Sequence, residues 1–385
     1  MAKARGTHSN ALHLLHWGFT GIGAAFTLAL AAMLVLAAYS GHLNPLEHRG
    51  VFVVLCLAFP YILFVNALVA VFWLVLRKWI VAAIAVAGIL LSWPSVWTVF
   101  PLNVFPSSPN KESHVIKVMT YNVRYFVYDN EKSLLEHNYL LDFVYDKDPD
   151  VVLLQESIDI PYESMKSMTK ANLDTLYKHY PYRSETNNSD PSILSKYPFK
   201  MVKTKHTKKN GYHPVMQTYE VDIEGHKINF VNVHLQSIHL SEEDKTLFWN
   251  YMNKENINNL QLAREVKSSI FSKIVEASRI RATQAEEVRD MLNTLKGPVI
   301  LCGDLNDTPS SWPYRTIRGD DMRDAYCDCA FGHTITYHEN RFYFRLDHIF
   351  YNADELKAID IERGNEKLSD HYPLIATFEW RHTNN

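Results

Sequence analysis

VILCGDLNDTPSS, residues 299–311, carries a core-like apolar run straight into acids and amides. Val299, Ile300, Leu301 and Cys302 read as a buried strand. Gly303 ends it, and Asp304, Asn306 and Asp307 follow at once. Taken alone, the stretch reads equally as a strand running into a turn, because Gly, Asp and Asn are turn formers. Recurrence of the pattern elsewhere in the chain decides between the two.

It recurs. HVIKVMTYNVRY, 114–125, alternates and stops at Asn122. DVVLLQES, 150–157, is apolar up to Gln155-Glu156. PSILSKYPF, 191–199, is a short strand with a proline in its exit. QTYEVDIEGHKINFVNVHLQS, 217–237, reads as a hairpin around Glu224-Gly225, with Asn232 and His234 near its end. RFYFRLDHIFYN, 341–352, holds Asp347-His348, and DHYPLIATFEW, 370–380, begins with Asp370-His371 and runs into a last strand. Helical spacing appears between them, as in SLLEHNYLLDFVYD, 133–146, and in a long, mostly helical insertion over 241–296. Strands alternating with helices indicate an α/β or α+β domain.

The chain has 385 residues and a formal net charge of −3, so no large basic field marks it as a nucleic-acid binder. Its composition changes near residue 100. Apolar runs fill 11–40, 51–76 and 79–100, and none contains Asp, Glu, Lys or Arg. Each exceeds the ~20 residues that a helix needs to cross a hydrocarbon core. Trp17, Trp73, Trp79, Trp93 and Trp97 lie mostly toward run ends, as interfacial aromatics do. We therefore expect a three-helix membrane anchor over 1–100, a Pro/Ser/Asn linker over 101–113, and a catalytic domain over 114–385. Lys3, Arg5 and the Arg77-Lys78 link place the N-terminus in the cytoplasm by the positive-inside rule. Three crossings then leave the domain outside it. Cys327 and Cys329 flank a single Asp, which predicts free thiols or an unusual bridge.

Asn122, Glu156, Asn232, His234, Asp304, Asn306, Asp347, Asp370 and His371 each fall at or beside a strand end. Ends of strands in one core meet at one rim. Such a rim would offer oxygen ligands to a hard divalent cation, Mg2+ or Mn2+, rather than to zinc. Asn side chains can orient a water or donate to a phosphate oxygen. An imidazole held by a carboxylate can donate a proton or face phosphate as a cation. The set favours metal-assisted hydrolysis of a phosphate ester.

In their order MTYNVR, LLQES, ILSKYPF, VNVHLQS, CGDLND, RLDHIF and SDHYPL, the motifs resemble those of the endonuclease/exonuclease/phosphatase superfamily over about 115–380. The resemblance implies a four-layer α/β sandwich, two packed and mostly antiparallel sheets flanked by helices. It implies that Glu156 is the main metal-binding residue, with Asn122 beside the metal and Asp370 at the metal or a second position. Asp304 and Asn306 match the pair that positions the attacking water and contacts phosphate. His371 matches the essential histidine, and Asp347 the carboxylate that orients it. His234 matches a second histidine contacting phosphate or donating a proton, and Asn232 would assist it. The implied reaction is in-line attack of an activated water on a phosphate ester.

His348 is expected to be structural, and Asp307 to cap a turn. The expected substrate is a phosphate ester: a lipid headgroup, a phosphorylated metabolite or nucleic acid. The expected second partner is the lipid bilayer, through 11–100, and no obligate protein partner is evident. A basic cluster, KTKHTKKNGYH at 203–213, is equally a phosphate contact or a solvated hairpin tip. An extracytoplasmic nuclease and a non-catalytic phospholigand-binding membrane protein remain as alternatives.

Overall fold

The apolar runs fold as helices. In the computed structural model, which describes residues 2–105, 114–126, 138–157, 169–184, 190–206, 214–252, 259–339 and 342–381, α1 spans Ala2–Ser40 and α2 spans Val51–Val75. Trp17–Ser40 and Val51–Val75 are each long and apolar enough to cross a membrane. The third run is not the straight helix expected. It breaks at Ser92 into α3, Trp79–Leu91, and α4, Trp93–Val99, bent by 72°. Pro94 explains the break: it has no N–H to give the Leu90 carbonyl and is tolerated only in a first turn. Counted as one span, the bent pair is a third segment long and apolar enough to cross. Leu34, Ala37 and Ala38 of α1 bury against Phe59 of α2 and Val96 and Val99 of α4.

The remaining described residues build two six-stranded sheets. The first runs in the order β11 (Leu356–Arg363), β12 (Leu374–Trp380), β1 (Val115–Asn122), β2 (Val151–Gln155), β4 (Ser192–Ser195) and β3 (Tyr182–Arg183). The second runs β5 (Phe199–His206), β6 (Pro214–Ile223), β7 (His226–His234), β8 (Val299–Asp304), β10 (Asp347–Asn352) and β9 (Met322–Asp324). At the centre of each lies a parallel pair, β1–β2 in one and β7–β8 in the other. Their neighbours are antiparallel. The expected hairpin turns at Glu224 and Gly225, both at positive φ (54° and 91°), as a twist-matched two-residue turn requires.

Alternation explains the layers. Val118, Leu153, Phe230, Ile300, Cys302 and Ile349 point between the sheets into one core. Met119, Val152 and Leu154 point outward, under α5 (Tyr139–Lys147) and α6 (Lys170–His179). Val231, Val233 and Leu301 point outward on the other side, under α9 (Ser272–Leu292) and α10 (Trp312–Arg318). The result is the expected four-layer α/β sandwich. Within 241–296, α7 (Glu242–Met252) and α8 (Leu260–Val266) precede α9. Here the structure differs from the insertion expected: α9 buries Ala285, Val288 and Met291 as an outer layer. Residues 207–213 of the basic cluster lie outside the described residues, as do 106–113 of the expected linker.

The start of that linker is not free. Asn103 donates through Nδ2 to the carbonyls of Cys327 and Ala330, in and just after α11 (Ala325–Cys329), at 2.9 and 2.8 Å. Loop 41–50 also touches the sandwich, where Arg279 Nε donates to Pro45 O at 3.3 Å. Cys327 and Cys329 are free thiols, as are Cys56 and Cys302.

Candidate active site

The period of two that fills the core also builds the site. Two residues beyond Val118 on the inward face is Thr120, then Asn122; beyond Leu153 is Gln155; beyond Phe230 is Asn232, then His234; beyond Cys302 is Asp304. Register then aligns them. Asn122 pairs with Gln155, His234 with Asp304, and Asp304 with Asp347. β12 enters antiparallel to β1, Leu374 beside Thr120, so Asp370 and His371 arrive at the same rim.

Three positions leave the regular pattern. Gly303 has φ +148°, and a Cβ there would lie 1.9 Å from Val233 O, so only glycine lets β8 lie this close to β7. Glu156 and Asn306 sit at φ 54° and 50°. The left-handed residue turns the Glu156 side chain, about a quarter exposed at 26%, back toward the rim. Asn306 tolerates that conformation, and its N–H closes a turn onto Asp304 Oδ1 at 2.7 Å.

Asp304 is the hub. Asn122 Nδ2 donates to its Oδ2 at 3.1 Å and to Glu156 Oε1 at 3.3 Å. Asn306 Nδ2 donates to Asp304 Oδ2 at 3.2 Å and to Leu235 O at 3.0 Å. His371 Nε2 lies 3.7 Å from Asp304 Oδ2, and its Nδ1 is 2.7 Å from Asp347 Oδ2. His234 stands between Asp190 Oδ2 at 3.3 Å and Glu156 Oε1 at 3.8 Å. Asp304, Asp347 and His371 are fully buried, and one ligand atom of each lies within 4.8 Å of the others.

The charges follow from this enclosure. Burial works against a charged His371, but the carboxylates of Asp347 and Asp304 overcome it and raise its pKa to about 10. Burial likewise opposes charge on His234, and the hydrogen bond and charge of Asp190 raise it to about 9. Burial first, offset in part by His371, pushes Asp304 up to about 6. His348 goes the other way: burial and Arg345 lower it to about 4. Its ring lies against Tyr314 and Phe350, the structural position expected. Asp307 likewise holds a turn, accepting from Thr308 N at 2.9 Å and pairing with Arg281 at 3.1 Å.

Asn232 is one layer lower than expected. Its Nδ2 donates to Leu154 O and Ser192 O at 2.9 and 2.7 Å, and its Oδ1 accepts from Gln155 Nε2 at 2.6 Å. With its amide spent in this way, it cross-links the two sheets beneath the site and does not face a substrate. Asp370 adjoins His371, but its Oδ1 accepts from Ser369 Oγ at 3.2 Å and it stands outside the Asp304–Asp347–His371 group. Asp190 went unread in the sequence. It stands two residues before Ser192, the first residue of β4, which pairs with Leu154 at the same rim, so its place was available from the strand start.

Residues 119–371 match the Endonuclease/Exonuclease/phosphatase family. The chain belongs to that family. Residues 20–99 match a domain of unknown function. Among solved structures, truncated Caenorhabditis elegans TDP2 is 19% identical, with 69% of this chain and 98% of that chain covered, at a TM-score of 0.44. The human Nocturnin catalytic domain is 17% identical, with 70% and 98% covered, at 0.43. An endonuclease/exonuclease/phosphatase family protein from Bacteroides thetaiotaomicron is 15% identical, with 70% and 100% covered, at 0.42. No curated protein matches the chain. Family membership makes the protein a hydrolase of phosphoester bonds and divalent-metal dependent.

The residues present fit a hard cation. The donors are carboxylate and amide oxygens, and Asp347 Oδ1 and Asp190 Oδ1 are buried without a hydrogen-bond partner among the described residues. Buried carboxylate oxygens left open cost free energy unless a proton or a cation completes them.

Proposed function

We propose that the protein is a membrane-anchored, Mg2+- or Mn2+-dependent phosphodiesterase. The observation that carries this reading is the convergence of Asn122, Glu156, His234, Asp304 and His371 on one rim, where Asp304 touches Asn122 and His371, and Glu156 touches Asn122 and His234. Glu156 and Asn122 are the residues we assign to the metal, with Asp370 beside them. When bound, the cation would polarise a phosphoryl oxygen and offset developing charge. Asp304 and Asn306 hold the attacking water: a carboxylate and an adjacent amide can accept its proton and fix its orientation. Protonated His371, oriented through Nδ1 by Asp347, faces the phosphate and can hand a proton to the leaving oxygen through Nε2. His234, held by Asp190, supplies a second cation to the phosphate oxygens.

The chain divides, in this proposal, into an anchor over 1–100 and a catalytic domain over 114–385, with Asn103 docked on the sandwich. Loop 41–50 lies on the sandwich side, opposite the Arg77-Lys78 link. The positive-inside rule then supports an extracytoplasmic site. Hydrolysis of bis-p-nitrophenyl phosphate by the full chain tests the chemistry. Asp304→Ala should abolish it while the fold persists by circular dichroism, and Glu156→Gln should weaken the response to added Mg2+. Wild-type rates in Asp304→Ala, or an unaltered metal titration in Glu156→Gln, would overturn the assignment. Protease added outside intact cells should reach the domain.

A further inference from the structure

The sandwich is bolted to the helices beside the site. Ser310, in the loop that follows β8, is hydrogen-bonded to Thr98 of α4. Arg345 Nη2 donates to Thr98 O at 2.8 Å, and Arg315 Nη2 to Ser95 Oγ at 3.0 Å. A Cβ on Gly41 would lie 1.7 Å from Ser310 O, so glycine alone admits the end of α1 this close. The orientation of the site relative to the helices is therefore set by structure and not by a linker.

Exposure marks where lipid must begin. From Phe52 to Pro60 no residue of α2 is exposed; from Tyr61 onward Phe64, Leu68, Val71 and Phe72 are. On α1 the exposed apolar side chains end at Leu36 and Tyr39. A continuous apolar belt of this kind calls for a lipid covering. Tyr39 near the end of α1, Trp93 at the α3–α4 break and Tyr61, the first exposed residue after Phe52–Pro60, are aromatics of the type that sit at headgroup level.

At Tyr61 the sandwich touches α2. The rings of Tyr61 and Phe344 meet edge-on, centroids 6.2 Å apart. Phe344 exchanges backbone hydrogen bonds with Tyr337, and the Tyr337 ring lies 5.1 Å from that of His371. Directly paired residues are about 5 Å apart, so the catalytic imidazole stands some three contacts from the lipid edge. Beside Phe344, Phe342 packs on Phe248 and Trp249 of α7 at 5.6 and 5.8 Å. An aromatic rim thus borders the site on its helix side. A phosphoester dissolved in water has no need of such a rim. An amphipathic one does, because its tails must stay covered while its phosphate is presented.

We infer that the substrate is a phosphodiester lipid of the bilayer that surrounds the helices. Its acyl chains stay beside α2 near Tyr61 and Phe344 while its headgroup phosphate reaches Asp304 and His371. The inference rests on the phosphodiesterase reading of that site. Water adds its oxygen to phosphorus as one P–O ester bond breaks, and the departing alcohol takes a proton, so no further co-reactant enters.

The test uses the full chain in nanodiscs of phosphatidylcholine containing phosphatidylglycerol or sphingomyelin, with Mg2+. Headgroup release is read by mass spectrometry, beside soluble bis-p-nitrophenyl phosphate and dibutyroyl phosphatidylcholine kept below its micelle concentration. A disc lipid should be cleaved faster than the dissolved short-chain lipid. Tyr61→Ala should lower the ratio of disc to soluble-diester rate about fivefold, the size of one lost aromatic contact. Cleavage of soluble diester with every disc lipid left intact would overturn the lipid assignment and leave the phosphodiesterase standing. An unchanged ratio in Tyr61→Ala would remove the route along α2. Failure to cleave any of the diesters would overturn both readings.

Discussion

Replacing Asp347 with asparagine keeps the shape of the pocket and removes one charge. In the parent, the His371 pKa stands at about 10 against an ordinary 6.5, a preference for the charged ring of ~5 kcal/mol. At pH 7.5 the imidazolium then outnumbers the neutral ring by about 300 to 1. Burial is the largest influence on His371 and opposes the charge; Asp347 is the largest that favours it. Without Asp347 the ring falls back to its ordinary range or below, and about a tenth or less stays charged at pH 7.5. The 2.7 Å contact that fixes the ring is weakened as well. A correctly placed proton donor contributes about 10²–10⁴ in rate, so we expect kcat in Asp347→Asn to drop about 10²–10³-fold. The assay is hydrolysis of bis-p-nitrophenyl phosphate at saturating metal from pH 5.5 to 9. The loss should shrink on the acid side, where protonation is restored. A loss of the same size at every pH would refute the protonation account, and a rate within about threefold of the parent would refute the role itself. Stability gives an independent reading. A histidine whose pKa rises on folding stabilises the fold below its unfolded value, and that contribution is lost as pH climbs through the folded one. The metal-free parent should therefore lose stability between pH 6.5 and about 10, and the variant should show a flatter profile.

Two further expectations concern metal and anchorage. Asp304 is pushed up to about 6 and shares the Asn122 amide with Glu156, so its protonation removes a negative charge from beside the metal residues and Mn2+ affinity by calorimetry should fall below pH 6; constant affinity from pH 5 to 7 would remove Asp304 from the metal's surroundings. Arg345→Met strands the buried Asp324 carboxylate, now paired at 3.1 Å, and should cost about 3–5 kcal/mol in thermal unfolding, with Asp324→Asn in the same chain recovering part of it; an unshifted unfolding temperature would show the pair to be dispensable.

The site was legible because its acids and amides terminate apolar strands, and alternation carries an inward core face out to an inward polar rim. His234, Asp304 and Asp347 follow from that rule alone. Its limits are equally physical. Parity cannot tell the last inward residue of a strand from the one below it, and so Asn232 was placed at the rim when it ties the sheets beneath it. Parity also fails at a left-handed residue, where Glu156 and Asn306 turn back toward the site; there only the resemblance to the family supplied the roles. The third apolar run shows a different limit. Its hydropathy is uninterrupted, and the break depends on Pro94, which has no N–H to give the Leu90 carbonyl and so must stand in the first turn of a new helix. Helix α9 looked like an insertion because its apolar stripe is sparse between charges, yet Ala285, Val288 and Met291 suffice to cover a sheet.

The acids after β8 serve two surfaces. Asp304 and Asn306 close on one another and on Asn122. Asp307 turns away to Arg281, and Ser310, at φ 73°, reaches Thr98 on α4. Gly303 near the end of β8 and Asn306 and Ser310 in the loop after it all hold positive φ, and for the two residues other than glycine that conformation costs about 1–2 kcal/mol each. A loop so bent persists only when both of its ends are fixed. Here the strand pairing of Asp304 with Asp347 fixes one end and the helix ends fix the other. Helix α4 is thus part of what holds Asp304 and Asn306 in place. Severing the sandwich from α4 should for that reason loosen Asn306 before it loosens the core.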